Sequence, residues 1–129
     1  VKLVRQRAAS DCGIACLAML MGKTYAQAAS VMASVAPRAR TEGVYVREFA
    51  TAARRAGIRL RRSRTRLTSK AVVTVLWSGR RAKENPGGHL VVIDNGYVYC
   101  PKEGVSLGLT DYLKKWHGRT GTFLGVIGS

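Results

Sequence analysis

The chain has 129 residues, 47% of them apolar, and a formal net charge of +15 from 22 Lys and Arg against 7 Asp and Glu. That length suits one domain, residues 1–129, and the apolar content is enough for a real core, which excludes global disorder. No apolar run approaches the roughly 20 residues of a membrane span, and the basic, polar residues 1–10 do not read as a signal peptide.

Ser10 and Asp11 read as a helix start, and Cys12 to Met21 as a mostly apolar, buried helix closed by Gly22. Thr24 can cap a second helix through about Val35, stopped before Pro37. Arg38 to Gly43 reads as a loop. A third helix is predicted over Val44 to Ala56, with Val46, Phe49, Ala50 and Ala53 on one face and Gly57 at its end. Ile58 and Leu60, with arginines between, then read as a strand, and Ala71 to Trp77 as a second. Ser78 to Gly88 reads as a mobile loop. His89 to Ile93 is a third strand, Asp94-Asn95-Gly96 a hairpin turn, and Tyr97 to Cys100 the return strand. Asp111 to Trp116 reads as a short helix and Thr122 to Ile127 as a last strand. Helices first and antiparallel strands after give an α+β layout, helices packed against one sheet.

Three cysteines, an odd number, argue against a disulfide framework and for a reducing compartment or a working thiol. Cys12 sits in the first turn of a buried helix, where amide N–H groups and the helix dipole favour a thiolate. A thiol nucleophile needs a base, and His89, after Gly87-Gly88 and at the head of an apolar strand, is the natural candidate. The Gln6 side-chain amide, with the Cys12 backbone N–H, can form an oxyanion hole. Cys16 reads as a buried, inert thiol. Cys12, Cys16, His89 and Cys100 match zinc in number but not in spacing, so no metal or cofactor is expected.

The run from Gln6 through Asp11-Cys12-Gly13-Ile14-Ala15-Cys16-Leu17-Ala18-Met19 resembles the active-site segment of papain-like peptidase domains fused to bacteriocin-exporting ABC transporters. Further matches follow in order: Glu42-Gly43, Ala53 to Gly57, Gly88-His89-Leu90-Val91-Val92, and Trp116-His117-Gly118. The resemblance implies a papain-like fold, a central helix carrying the cysteine and an antiparallel sheet carrying the histidine. It implies cleavage of leader peptides after a double glycine, with Cys12 as nucleophile, His89 as base and Gln6 as oxyanion donor. One position departs. The family has an Asp-Pro whose Asp orients the histidine, and this chain has Cys100-Pro101. A neutral thiol is a poor substitute for a carboxylate. Asp94 reads as a turn residue, and Asp111 is a weaker substitute.

The charge departs too. Arg54, Arg55, Arg59, Arg61, Arg62, Arg64 and Arg66 are seven arginines in one stretch without an acid, and Arg80, Arg81 and Lys83 add a basic loop before His89. Arginine on both faces of a strand implies an exposed edge facing a partner, and charge of one sign suits phosphate. Papain-like folds also resemble toxin domains at the tips of secreted bacterial antagonism proteins. The start at Val1, without an initiator Met, fits a domain cut or processed from a longer chain. On these grounds the expectation is a contact-dependent toxin domain that degrades RNA, with tRNA the favoured substrate, using Cys12 and His89. It would be delivered into a target-cell cytoplasm and held by an acidic immunity protein. The arginines would grip the RNA, and His89 would act as base toward a ribose 2′-OH, with His117 the other histidine available. The alternative is a cysteine peptidase for double-glycine leaders.

Overall fold

The computed structural model describes residues 1–66, 68–79, 83 and 88–128. Four helices come first: α1 (Cys12–Met21), α2 (Tyr25–Ala33), the short α3 (Ala39–Glu42) and α4 (Val46–Arg55). Strands follow: β1 (Arg59–Ser63), β2 (Lys70–Trp77), β3 (His89–Asp94), β4 (Tyr97–Cys100) and β5 (Gly104–Leu107). A helix α5 (Leu109–Trp116) and the long strand β6 (Gly118–Gly128) close the chain. This is the expected α+β arrangement.

Local chemistry explains the helix ends. Gly22, at φ 64°, closes α1 in the left-handed region and donates to the Ala18 and Met19 carbonyls. Thr24 and Gln27 form a reciprocal capping box at the start of α2. At the start of α4 the Glu48 side chain accepts the Tyr45 N–H at 2.8 Å. Residues 38–43, expected as a loop, contain α3. Its Glu42 and Gly43 amides bond back to the Arg38 and Ala39 carbonyls, at 2.8 and 3.2 Å, which closes a turn that periodicity cannot reveal in four residues.

The strands form one sheet in the order β1-β6-β2-β3-β4-β5, every pairing antiparallel. The hairpin between β3 and β4 turns on Asn95 at φ 49° and Gly96 at φ 85°, the two positive values that a type I′ turn needs. The sheet buries both faces. Val72, Leu90, Val92 and Leu124 pack under α1, α2 and α4 with Leu17, Met32 and Phe49. Val73, Val75, Val91, Ile93 and Phe123 point the other way, onto Tyr112 of α5 and Cys100. Alternation within each strand thus fills two cores at once. Helix α1 is buried from Gly13 to Met19, as its all-round apolarity predicts.

Candidate active site

Cys12 opens α1 and His89 opens β3, and both line a cleft of about 770 Å³. One wall is the loop and first turn at Ser10 and Cys12. The other runs from Arg38 and Glu42 through Gly43, Val44 and Tyr45 into the first turn of α4. Gly88, His89 and Leu90 form the floor. Two backbone features set this geometry. Gly88 stands at φ 81°, and a Cβ there would lie 2.8 Å from the Val75 carbonyl oxygen, so only glycine delivers His89 at this height. Gly13 lets α1 approach the cleft wall, because a Cβ there would lie 2.5 Å from Val44 Cγ2.

The Cys12 thiol is partly buried. Burial pushes it up from an ordinary 9.0 to about 11, with Asp11 and Cys100 adding to the rise. Main-chain hydrogen bonds from Leu90 and Gly13 pull the other way and are outweighed. The expected low-pKa thiolate is therefore corrected: the helix start is there, but desolvation wins over it. Asp11 contributes to this. Its carboxylate does not cap the helix. It is fully buried and turns back to accept from the Arg7 N–H at 2.8 Å, the Ala8 N–H at 3.0 Å and the Tyr25 hydroxyl at 2.5 Å.

His89 is 7% exposed and shares the α5 face of the sheet with Val91 and Cys100. Its Nε2 lies 3.2 Å from Cys100 Sγ. The Trp77 ring stands 5.8 Å from the imidazole and 6.2 Å from the Tyr112 ring, so apolar surface shields the pair. Cys100 is the residue that the sequence offered in place of a carboxylate, as a poor substitute, and it lies within reach of the ring. Asp94 instead faces the Val1 amino nitrogen at 3.2 Å, and Asp111 is exposed in the first turn of α5. His117 ends α5 at φ 54°, exposed, with its carbonyl taken by Ser78. None of these three lines the cleft.

Gln6 lies beside the site without lining the cleft. Its Nε2 donates to the Ala8 and Ala9 carbonyls at 2.8 and 3.3 Å. Its Oε1 is buried and has no partner among the described residues. The Gln6 main chain donates to the Pro101 carbonyl at 3.1 Å, which ties the segment before Cys12 to the residue after Cys100. Cys16 is buried, its thiol pushed well up by burial, and it donates to the Leu90 carbonyl at 3.3 Å. Among the described residues no three His, Cys, Asp or Glu side chains are placed to hold a metal ion.

The arginines sit elsewhere. Strand β1 is an edge of the sheet, as expected, and Arg59, Arg61 and Arg62 are exposed on it. Arg64 and Arg66 are exposed just beyond it. Arg54 and Arg55 end α4, and Arg55 donates to Ser34. None of these seven lines the cleft, whose described lining includes Arg38. Arg80 and Arg81, with most of the expected loop before His89, lie outside the described residues; Lys83 is exposed.

The family model described as "Peptidase C39 family" matches residues 1–97. The chain belongs to this family. Among solved structures the fold is similar to a double-glycine-motif protease from an AMS/PCAT transporter, crystallised in complex with the leader peptide. The match has a TM-score of 0.69 and 18% identity, and covers 100% of this chain and 92% of that one. A search of curated proteins found no match. Membership in the Peptidase C39 family makes the chain a hydrolase with a cysteine site, on a papain-like fold. It overturns the expectation of an RNA-degrading toxin domain. Family and fold both lead to peptidases, and the solved neighbour binds a leader peptide rather than RNA or an immunity protein. Among the described residues, the seven arginines from Arg54 to Arg66 stand away from the cleft. Among the described residues no helix is long and apolar enough to cross a membrane.

Proposed function

We propose that the chain is a cysteine peptidase that cleaves peptides after a double glycine, with Cys12 as nucleophile and His89 as base. The observation that carries this reading is the meeting of Cys12 and His89 in one cleft of a C39-family chain. The cleft suits a peptide. Val44, Val46 and the 70%-exposed Tyr45 give apolar surface along one wall, and the volume falls within the roughly 300–1,000 Å³ of ligand sites.

The high thiol pKa shapes the mechanism. At neutral pH Cys12 rests as a thiol, so His89 takes its proton as the sulfur attacks the scissile carbonyl. The C–N bond then breaks, and the imidazolium returns the proton to the leaving amine. Water, activated by the same imidazole, hydrolyses the thioester and restores the thiol. The oxyanion faces the Cys12 backbone N–H at the head of α1. Gln6 supplies a second donor only if its amide leaves the Ala8 and Ala9 carbonyls when substrate arrives.

The test is a synthetic leader peptide with a double glycine before the cut, incubated with the wild-type chain and with Cys12→Ala and His89→Ala. Cleavage after the second glycine in the wild type alone is expected. An intact peptide in every sample, or cleavage that survives in Cys12→Ala, would defeat the reading.

A further inference from the structure

The hydrogen bonds around Cys100 assign it a role. Its sulfur is fully buried at the end of β4. Three groups converge on it: the Glu103 N–H at 3.3 Å, the Tyr112 hydroxyl at 3.3 Å and His89 Nε2 at 3.2 Å. A structural core cysteine does not need three polar neighbours. Sulfur is a weak donor and a weak acceptor, and a site that aims a backbone N–H and a phenol at one sulfur is built to use it as an acceptor. The Glu103 amide has no other role toward this atom, because an N–H can only donate.

The geometry points to Cys100 as the positioning residue of His89: its sulfur accepts the Nε2–H and so fixes the ring's tautomer and orientation. Proton exchange with Cys12 then falls to Nδ1. Trp77 and Tyr112 pack over the pair and keep water from competing for the same proton. The strands supply the rest of the alignment. Val92 pairs with Tyr99, so Cys100 lies on the face of β3 that carries His89 and Val91. The main-chain bond from Gln6 to Pro101 anchors the segment just beyond the sulfur. This inference rests on the peptidase reading for its effect on rate, but not for its effect on the ring.

The chain has two histidines, His89 and His117, so ¹⁵N-histidine labelling gives a spectrum of two rings with His117 as internal reference. Spectra are recorded at about pH 8, above the ordinary histidine range, for the wild type, Cys100→Ala, Cys100→Ser and Cys100→Asp. Peptide cleavage is measured on the same samples. The wild-type His89 is expected to carry its proton on Nε2. Cys100→Ala should lose that preference, and Cys100→Asp, whose carboxylate meets the same three donors, should restore it. In cleavage, Cys100→Ala should lower kcat by roughly 10²-fold, at the low end of what a positioned base contributes. KM should stay within about twofold, because ground-state binding is untouched, and Cys100→Asp should equal or exceed the wild type. If Cys100→Ala does not fold, Cys100→Val, close to cysteine in volume and unable to accept a hydrogen bond, takes its place with the same loss of preference expected. A wild-type ring protonated on Nδ1, or a tautomer indifferent to residue 100, would overturn the inference. A tautomer that shifts as expected with no cleavage by any protein would remove the peptidase reading and leave the positioning role standing.

Discussion

Cys12 and Cys100 carry the same side chain beside two different cores, and their surroundings give them different work. Cys12 packs against the helical core, where burial outweighs the two main-chain hydrogen bonds that favour its charge and the thiol rises to about 11. Cys100 lies in the α5 core with three polar groups converging on its sulfur. One sulfur is therefore kept protonated until a base removes its proton, and the other is held as a hydrogen-bond partner. The difference shows that a thiol's role is set by the balance of desolvation and donors around it, not by its place in a motif.

The strongest way to test this contrast is chemical. With a thiol at about 11 in place of an ordinary 9.0, the thiolate fraction of Cys12 at neutral pH is lower by about 10². Iodoacetamide should therefore modify Cys12 about 100-fold more slowly at pH 7 than it modifies the unfolded chain. The rate should climb roughly tenfold per pH unit past pH 9, followed on the Cys12 peptide by mass spectrometry. A plateau below pH 8 would show that the site already holds a thiolate.

A smaller effect follows from linkage. The folded pKa of Cys12 lies above its ordinary 9.0, so the folded state holds a proton that the unfolded state releases first. Stability should be flat below pH 9 and fall as pH rises through about 11. Tyr25, raised from 10.0 to about 12 by burial and by its bond to Asp11, extends the fall upward. After discount for partial exposure, Cys12 should contribute about 1–2 kcal/mol of this loss. In thermal melts across this range the wild-type curve should fall away from that of Cys12→Ser between pH 9 and 11. Parallel curves would refute the shift.

The smallest effect concerns the sheet edge. Replacing Arg59, Arg61 and Arg62 together by Gln should leave peptide cleavage within about twofold and stability within about 0.5 kcal/mol per site, as for other exposed positions. A large loss of cleavage would make the β1 edge part of substrate recognition and end the separation of basic edge from cleft.

These contrasts also mark what the sequence could reveal. Short-range signals were legible. Gly22 closing α1, the Thr24–Gln27 box and the Asn95-Gly96 hairpin each depend on residues a few positions apart. So was the edge character of β1, and the expected pair Cys12 and His89 lines one cleft. The signals that failed are long-range. β5 (Gly104–Leu107) is four residues long and follows no strong pattern. β6 was expected to begin at Thr122 and begins at Gly118, because Gly118 and Gly121 erase the local strand signal. Those glycines serve neighbours far away in sequence: a Cβ on Gly118 would sit 2.8 Å from Val75 Cγ1 and 3.0 Å from the Trp77 ring. The Cys12 pKa was misjudged because a helix terminus is visible in sequence and the burial around it is not. The hydrogen bonds to Cys100 were not legible, because its three neighbours come from β3, the turn after β4 and α5.

The position of β6 between β1 and β2 governs the order in which the molecule assembles. β1 and β2 are consecutive strands, yet they do not touch as a pair; β2 meets β3 soon after it is made, while β1 pairs only with β6, far later in the chain. On a ribosome the cysteine helix and the histidine strand would emerge well before the sheet that braces them is whole. The sheet that braces the cysteine helix and the histidine strand is thus whole only once β6 has entered between β1 and β2.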